Sequence, residues 1–368
     1  MKKVWSCFMM GAVGQSTSGH LPKNLHGAQS ATYKESVVAN PSQGYPQIIL
    51  SGTDRDLPEM FQEGYLRYTD ERLLFNGRKA YLEAVFDNIV GRMVARKTLR
   101  YELRNDEEER RRFLREARVT AQLAHPNTIP VYEIGTTKGD SIFFTMKLLR
   151  GEDLYEAIKR LANRDQSAVQ AYPMSELVEI FLQVSQALAF AHAHGVIHRD
   201  IKPENVWLGQ FGEVVLLDWG VAKVWGVEDP PWEPEDFKPH PDSKTNDKEQ
   251  LRTLTRSGQL PGTPLYMSPE QILGHKGIDE RSDVFSMGVM LYELMTLKEP
   301  FRGETVRKTF DLIIHDDPIS PRERAPERHI SEAFEAIILR AIEKEKKDRY
   351  QSVQEMMADV RDARDALL

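Results

Sequence analysis

The chain has 368 residues, 40% of them hydrophobic and 29% charged, with a formal net charge of −7. This composition predicts a soluble globular protein of up to two or three domains and excludes a generally basic, nucleic-acid-binding surface. The single cysteine, Cys7, excludes an internal disulfide framework and fits a reducing, cytoplasmic location. We expect no membrane span, because no apolar run approaches the roughly 20 residues that a spanning helix needs.

The first 58 residues are predicted to be a flexible N-terminal extension. Residues 11–47 are rich in Ser, Gly, Gln, Asn and Pro and show no periodicity. Lys2 and Lys3 precede an apolar stretch, 4–13, that weakly resembles a signal peptide. We favour the flexible extension, because Ser6 interrupts this stretch and it is barely long enough.

Residues from about 60 to 148 show a strand-rich pattern with one helix. Strands are predicted near Leu73, Tyr81, Val94, Ile129 and Phe143. The helix is predicted from Asp106 to Leu123, because acidic residues open it and apolar residues follow at helical spacing. Lys97 lies on the third strand, on the same face as Ala95, and Glu116 lies beside the apolar stripe of the helix.

Helices dominate the pattern from residue 151 onward. Residues 175–194 carry apolar side chains with a 3.6-residue period. Further helices are predicted near Asp283, Thr305, Ser331 and Ser352. This second part is therefore expected to be a large helical unit.

Two short polar segments interrupt the helical part. Residues 198–205 read HRDIKPEN, and residues 218–220 read DWG directly after a buried strand predicted at 214–217. Between Lys223 and Leu251, proline and acidic residues predict a mobile loop. Three aromatic residues in this insert leave a second interpretation open, docking on the lobe or on another molecule: Trp225, Trp232 and Phe237.

These features resemble the ordered motifs of protein kinases, and most closely those of bacterial, eukaryotic-like serine/threonine kinases. The match includes the strand 92–99, the helix with Glu116, both polar segments, residues 262–270 and the segment around Asp283. The resemblance implies an α+β, two-lobed protein kinase fold. Its β-rich N-lobe, with one regulatory helix, spans about 59–148. Its mainly helical C-lobe spans about 149–368 and carries a long activation segment, 218–270.

The resemblance also implies a catalytic set. Asp200 would accept the proton of an attacking hydroxyl, and Lys202 would neutralise charge on the transferring phosphoryl group. The hydroxyl of Thr263 would bridge these two residues. Glu270 would pair with Arg349 and anchor the lobe without taking part in the chemistry.

ATP and a divalent cation are the implied cofactors. Lys97 would grip the α- and β-phosphates while paired with Glu116, and Asn205 and Asp218 would hold Mg²⁺, with Mn²⁺ as an alternative. The implied metal ligands are therefore one amide and one carboxylate. ATP would sit in the cleft between the lobes.

The adenine site is expected at residues 143–149, which resemble the fifth strand and the hinge of kinases. Met146 would be the gatekeeper, and backbone groups of Lys147 and Leu149 would bond the adenine edge. Ala95 and Tyr81, on the neighbouring strands, are expected to line the nucleotide site.

The phosphate-covering loop departs most from the family pattern. The aligned stretch, 74–81, contains only Gly77 where kinases usually have three glycines, whose missing Cβ atoms let the backbone approach phosphates. Asn76 tolerates left-handed conformations and is a candidate replacement for one of them. Arg78 or Lys79 is a candidate side-chain contact to phosphate. This departure favours the alternative of a nucleotide-binding pseudokinase scaffold.

Regulation by activation-loop phosphorylation is implied by Arg199, which directly precedes Asp200. Its guanidinium would bind a phosphate bidentately, helped by Lys223. Trans-autophosphorylation, and hence self-association, is predicted at Thr255, with Ser257 and Thr253 as further candidates.

An active serine/threonine protein kinase is the predicted function, with ATP and protein substrates as partners. Lys202 and the pair Gly262-Thr263 resemble serine/threonine rather than tyrosine kinases. A kinase for small molecules is the third alternative, but residues 269–270 with Arg349 resemble a protein-substrate platform.

Overall fold

The computed structural model describes residues 67–88, 91–137, 139–224, 264–275 and 277–365. The predicted N-terminal extension, the insert with its three aromatic residues and the candidate phosphorylation sites lie outside the described residues. Within them, a β-rich N-lobe is followed by a mainly helical C-lobe, and this confirms the predicted two-lobed α+β architecture.

The N-lobe contains a five-stranded antiparallel sheet with the order β1-β2-β3-β5-β4. Its strands are β1 (Tyr68–Asn76), β2 (Ala80–Asp87), β3 (Arg92–Leu99), β4 (Val131–Thr136) and β5 (Ile142–Lys147). The strand predicted near Ile129 begins two residues later. Pro130 has no N–H to contribute to a strand ladder, and its carbonyl instead accepts the backbone N–H of Lys147.

Helix α1 (Glu107–Gln122) packs on one face of this sheet. Asp106 is its N-cap and accepts the backbone N–H of Glu109 at 3.0 Å, as the predicted start of the helix requires. Phe113 and Leu114 of the helix are buried against Leu99 of β3 and other apolar residues of the sheet. The helix is therefore fixed against the sheet by its apolar stripe.

Two small sheets and nine helices form the described C-lobe. The strands are β6 (Gly151–Asp153), β7 (Val196–Ile197), β8 (Val206–Gly209), β9 (Val214–Leu216) and β10 (Lys223–Val224), paired as β6-β8-β9 and β7-β10. The helices are α2 (Leu154–Ala162), α3 (Gln166–Ala171), α4 (Met174–Ala193), α5 (Pro269–Ile272), α6 (Glu280–Thr296), α7 (Val306–His315), α8 (Pro321–Arg324), α9 (Glu332–Ala341) and α10 (Val353–Asp365).

Helices α4 and α6 form the centre of the C-lobe core. Helix α4 is the one described helix long and apolar enough to cross a membrane by length and composition. Most of its residues pack inside the lobe, which is typical of a core helix. On α6, a Cβ atom added to Gly288 would lie 2.7 Å from the Cβ of Ala341, so this glycine lets α6 and α9 pack closely.

Asn127, in the loop after α1, joins the two lobes. Its Nδ2 donates to the carbonyl of Val214 at 2.8 Å, and its own carbonyl accepts the backbone N–H of Leu216 at 2.8 Å. Strand β9 is thereby held beneath the N-lobe. The residues that follow this strand, beginning with Asp218, consequently lie at the cleft between the lobes.

Candidate active site

Lys97 and Glu116 form an ion pair between strand β3 and helix α1. The Lys97 Nζ atom lies 2.5 Å from Glu116 Oε1. Burial disfavours the charged amine, but the carboxylates of Glu116 and Asp218 outweigh it and raise the pKa of Lys97. Lys97 is therefore a fixed positive charge at the cleft, in the arrangement that the sequence predicted.

Asp200, Lys202 and Asn205 are brought together on one buried loop. Lys202 Nζ donates to Asp200 Oδ2 at 2.6 Å, and Asn205 Nδ2 donates to the same oxygen at 3.1 Å. Asn205 Nδ2 also bonds the Asp200 carbonyl at 2.8 Å, and residues 203–205 form a single 3₁₀ turn. This turn explains why the spacing of the three residues matters: it folds the amide back onto the aspartate.

Asp218 follows β9 in a left-handed backbone conformation, with φ of 64°. Burial alone would raise the pKa of this carboxyl group, but Lys97 and Lys202 outweigh it and lower the pKa. Asp218 is therefore ionised, and its negative charge interacts favourably with the positive charges of both lysines. A Cβ atom added to Gly220 would lie 3.4 Å from Glu116 Oε2, so residues 218–220 also pack against the Lys97–Glu116 pair.

Trp219 stands where kinases usually have phenylalanine, and it is fully buried. Its ring centroid lies 4.4 Å from that of His198. A larger aromatic side chain is therefore accommodated in this pocket. Its indole Nε1 has no hydrogen-bond partner among the residues that the structure describes.

Residues 198–205 form the catalytic loop, and His198 connects this loop to the strand that leads to Asp218. Its Nδ1 accepts the backbone N–H of Asp200 at 3.2 Å, so its Nε2 carries the proton that is donated to the Leu217 carbonyl at 3.0 Å. Burial lowers the pKa of His198, which keeps the ring neutral and preserves this tautomer. The ring therefore fixes the distance between the two polar segments.

The predicted adenine site lies at the end of β5. Met146 pairs across the sheet with Ala95, and it packs with Leu149 and Trp207 in a small apolar cluster. The Lys147 backbone N–H is bonded to Pro130, so an adenine contact from Lys147 would have to come from its carbonyl. Its side chain bonds Glu213 at 2.6 Å and does not enter the cluster.

Trp207 is a site residue that the sequence analysis missed. It follows Asn205 by two positions on β8, and it is buried against Leu149 of the hinge. The available signal was the alternation of β8: Val206 and Leu208 pack into the C-lobe core, so Trp207 must face the other way.

Tyr81 does not line the cleft, against our prediction. Its cross-strand partner is Thr98, whereas Lys97 is paired with Leu82, and neighbouring residues of a strand face opposite sides. The phenol lies beside Thr98 and is close to the charges of Glu83 and Arg96 on the far face. Leu82 is consequently the β2 residue beside Lys97.

The β1–β2 turn, residues 77–79, takes the place of the phosphate-covering loop. A Cβ atom added to Gly77 would approach the Ala80 carbonyl oxygen to 2.6 Å, so the tight turn itself requires this glycine. Asn76 is the last residue of β1 and is not left-handed, which overturns its predicted role as a substitute glycine. Its side chain is bonded by Arg100.

The metal-ligand candidates suit a hard cation. The Asn205 amide nitrogen donates its hydrogen bonds to Asp200, which leaves the Asn205 Oδ1 atom available as a ligand. Asp218 offers an ionised carboxylate. The described residues contain no cluster of three or more His, Cys, Asp or Glu side chains that could hold a metal alone. This suits Mg²⁺, which is commonly bound by one or two carboxylates together with substrate phosphates.

Two of the predicted regulatory residues can be located. Arg199 has a left-handed backbone (φ of 67°), and its carbonyl accepts Gln271 Nε2 at 2.9 Å. Lys223 lies on β10 beside β7 and donates to the Ile278 carbonyl at 3.2 Å. Thr263 and the candidate phosphorylation sites Thr253, Thr255 and Ser257 lie outside the described residues.

A family model described as the protein kinase domain matches residues 68–360. The chain belongs to the protein kinase family. The match covers both lobes and every site residue located above. Glu270 and Arg349 also lie within the matched residues, and they form the predicted pair through two bonds of 2.8 and 2.9 Å.

The similar curated proteins are bacterial kinases. The serine/threonine-protein kinase PknD of Chlamydia pneumoniae is 33% identical over 299 residues, which cover 80% of this chain and 31% of that protein. PknD of Protochlamydia amoebophila is 34% identical over 282 residues, covering 75% and 28%. The chain thus spans about three tenths of the length of these relatives.

Proposed function

We propose that the protein transfers the γ-phosphoryl group of ATP to serine or threonine hydroxyls of proteins. The observation that carries this proposal is the convergence of Lys202 and Asn205 on Asp200: Lys202 Nζ and Asn205 Nδ2 lie 2.6 and 3.1 Å from the same carboxylate oxygen. The Lys97–Glu116 pair and the ionised Asp218 lie at the same cleft. The names of the relatives support the choice of serine and threonine.

In the proposed reaction, Asp200 accepts the proton as the substrate oxygen attacks the γ-phosphorus. The bond from this phosphorus to the β,γ-bridging oxygen breaks, and ADP leaves. Lys202, bonded to the same carboxylate, stabilises negative charge on the transferring group. Lys97 holds the α- and β-phosphates, so that the γ-phosphorus is positioned for in-line attack by the substrate oxygen.

We further propose that Asn205 and Asp218 bind Mg²⁺. The cation would neutralise charge that develops on the phosphate oxygens. The residues of the chain supply the rest: they orient the phosphates, hold the substrate hydroxyl and remove its proton. A location in the cytoplasm, where ATP is available, is part of the same proposal.

The activity is also proposed to be regulated by phosphorylation of the activation segment. Thr255, with Ser257 and Thr253 as further candidates, would be modified by a second copy of the chain. Arg199 and Lys223 are the proposed phosphate-binding residues, and both stand close to the catalytic loop in sequence or by strand pairing. Arg199 directly precedes Asp200 and has a left-handed backbone conformation. A phosphate group bound by its guanidinium would therefore be coupled to the conformation of the catalytic loop.

Transfer of labelled phosphate to protein substrates tests the proposal. Purified protein is incubated with Mg²⁺, labelled ATP and a general acceptor such as casein, and phosphoamino acids are then separated. We expect phosphoserine and phosphothreonine without phosphotyrosine. ATP binding at equilibrium without any transfer would favour a nucleotide-binding scaffold instead.

A further inference from the structure

Helix α1 is joined to the sheet by a second lysine–glutamate pair besides Lys97–Glu116. Lys79 Nζ lies 2.7 Å from Glu109 Oε1. Glu109 and Glu116 are seven residues apart, which is two helical turns, so they lie on one face of α1. One glutamate therefore reaches the lysine of β3 and the other reaches the turn between β1 and β2.

The same turn is held from its other side by Arg100, the residue that follows β3. The Arg100 backbone N–H donates to the Lys79 carbonyl at 2.9 Å, and its Nε donates to the Gly77 carbonyl at 2.8 Å. Its guanidinium also bonds the Asn76 side chain. Both carbonyls at the ends of the turn are thus fixed, and the Lys79 amine is engaged by the helix.

We propose that Lys79 is a positioning residue: its bridge to Glu109 holds the β1–β2 turn over the nucleotide, so that turn and helix α1 move together. The inference rests on the proposed function. It gives a physical reason why a turn with one glycine can cover the phosphates: the bonds of Lys79 and Arg100 fix the conformation of the turn. In a glycine-rich loop, close contacts between backbone and phosphates would fix it instead. Arg78, which is exposed and has no bonded partner among the described residues, remains the candidate phosphate contact of the turn.

The bridge is only partly open to water, which sets the size of its effect. The side chains of Lys79 and Glu109 are 37% and 17% exposed. Exposed pairs contribute about 0.2–1 kcal/mol, which corresponds to at most about a fivefold change in an equilibrium constant. We therefore expect Lys79→Ala and Glu109→Ala each to raise the KM for ATP about two- to fivefold and to leave kcat within about twofold.

Charge reversal distinguishes a bridge from a direct phosphate contact. Lys79→Glu and Glu109→Lys each place like charges together and should raise the KM for ATP about tenfold. The doubly reversed protein restores an opposite pair, and its KM should return to within about twofold of the wild type. A Lys79 amine that bound phosphate directly could not be replaced by a carboxylate, so the double variant would then stay as weak as Lys79→Glu.

Equilibrium ATP binding and urea unfolding without nucleotide complete the experiment. The reversed pair Lys159→Glu with Glu156→Lys, an exposed ion pair on α2, is the matched control and should leave the KM unchanged. If the wild type binds ATP but the double reversal does not restore the KM, the bridge is overturned and the proposed function is not. No ATP binding by the wild type overturns the proposed function as well, and the unfolding cycle then still reports whether residues 79 and 109 interact.

Discussion

Asp283 holds Arg199 in a left-handed backbone conformation. Its Oδ1 accepts the Arg199 backbone N–H at 2.8 Å, and Arg199 has φ of 67°. Its Oδ2 accepts the His198 backbone N–H and the His192 Nε2 proton, each at 2.8 Å. A left-handed non-glycine residue costs on the order of 1–2 kcal/mol, and hydrogen bonds to a buried carboxylate offset that cost. The shape of the catalytic loop is thus supported from α6.

Replacement of Asp283 should therefore loosen the catalytic loop. Asp283→Ala removes three hydrogen-bond acceptor contacts at a fully buried position. We expect the free energy of unfolding, measured in urea, to fall by about 3–5 kcal/mol, as it does when other buried polar networks are broken. We also expect kcat to fall about 10²-fold, because Asp200 is misplaced. Asp283→Asn, which keeps the shape and one acceptor oxygen, should show a smaller loss of both. An unchanged kcat in a folded Asp283→Ala protein would contradict the supporting role.

The Lys97–Glu116 pair should matter for transfer more than for folding. Glu116→Gln keeps the size of the side chain but removes the charge that raises the pKa of Lys97. We expect kcat/KM to fall about 10- to 100-fold, because the lysine no longer has one fixed position at the phosphates. Coupled measurement of ADP release checks this, with thermal unfolding as the control for folding. Wild-type kcat/KM in this variant would show that Lys97 is positioned by other contacts.

The Glu270–Arg349 bridge predicts a pH-dependent part of the stability. Burial works against the charged carboxyl group, but the bonds from Arg349 outweigh it and lower the pKa of Glu270. A carboxyl group with a lowered folded-state pKa stabilises the fold above its unfolded pKa, roughly 4.3, and this contribution is lost as pH falls through the lower folded value. Urea unfolding between pH 7 and the acid range should show the loss.

Two variants separate this contribution from other acidic groups. Glu270→Gln should have a smaller fall in unfolding free energy below about pH 4.3 than the wild type. Arg349→Ala leaves the buried Glu270 without its partner and should cost about 3–5 kcal/mol at neutral pH. Parallel pH profiles for the wild type and Glu270→Gln are the result that would count against this assignment.

Phosphorylation of the activation segment should raise activity. Thr255→Ala is expected to reduce the autophosphorylated fraction and the rate on a protein substrate, and replacement of Thr253, Thr255 and Ser257 together should reduce both further. Phosphopeptide mapping after incubation with ATP locates the sites. Full activity in the triple variant would contradict the proposed regulation by phosphorylation.

Predictions from sequence were most successful where a motif has a fixed internal geometry. The 3₁₀ turn at residues 203–205 is local, so the positions of Asp200, Lys202 and Asn205 followed from their spacing. The Lys97–Glu116 contact is not local, but strand and helix patterns gave each residue the correct face. The described N-lobe and C-lobe elements were also mostly predictable, because their apolar periodicity is regular.

The errors concern the turn between β1 and β2. The family alignment put Tyr81 on the cleft side, but the register of β2 with β3 pairs Leu82, and not Tyr81, with Lys97. A shift of one residue moves a strand side chain to the other face. The Lys79–Glu109 bridge could not be predicted either, because it depends on how the turn and α1 meet in space.

Intact mass spectrometry of the purified protein after incubation with Mg²⁺ and ATP tests the central claim most directly. Asp200→Asn, produced without prior phosphorylation, is measured beside the wild type. Loss of a catalytic base typically costs about 10²–10⁴-fold in rate, so we expect mass increments of one phosphate each in the wild type alone. No increment in either protein, or equal increments in both, would contradict the assignment of phosphoryl transfer to the loop that carries Asp200.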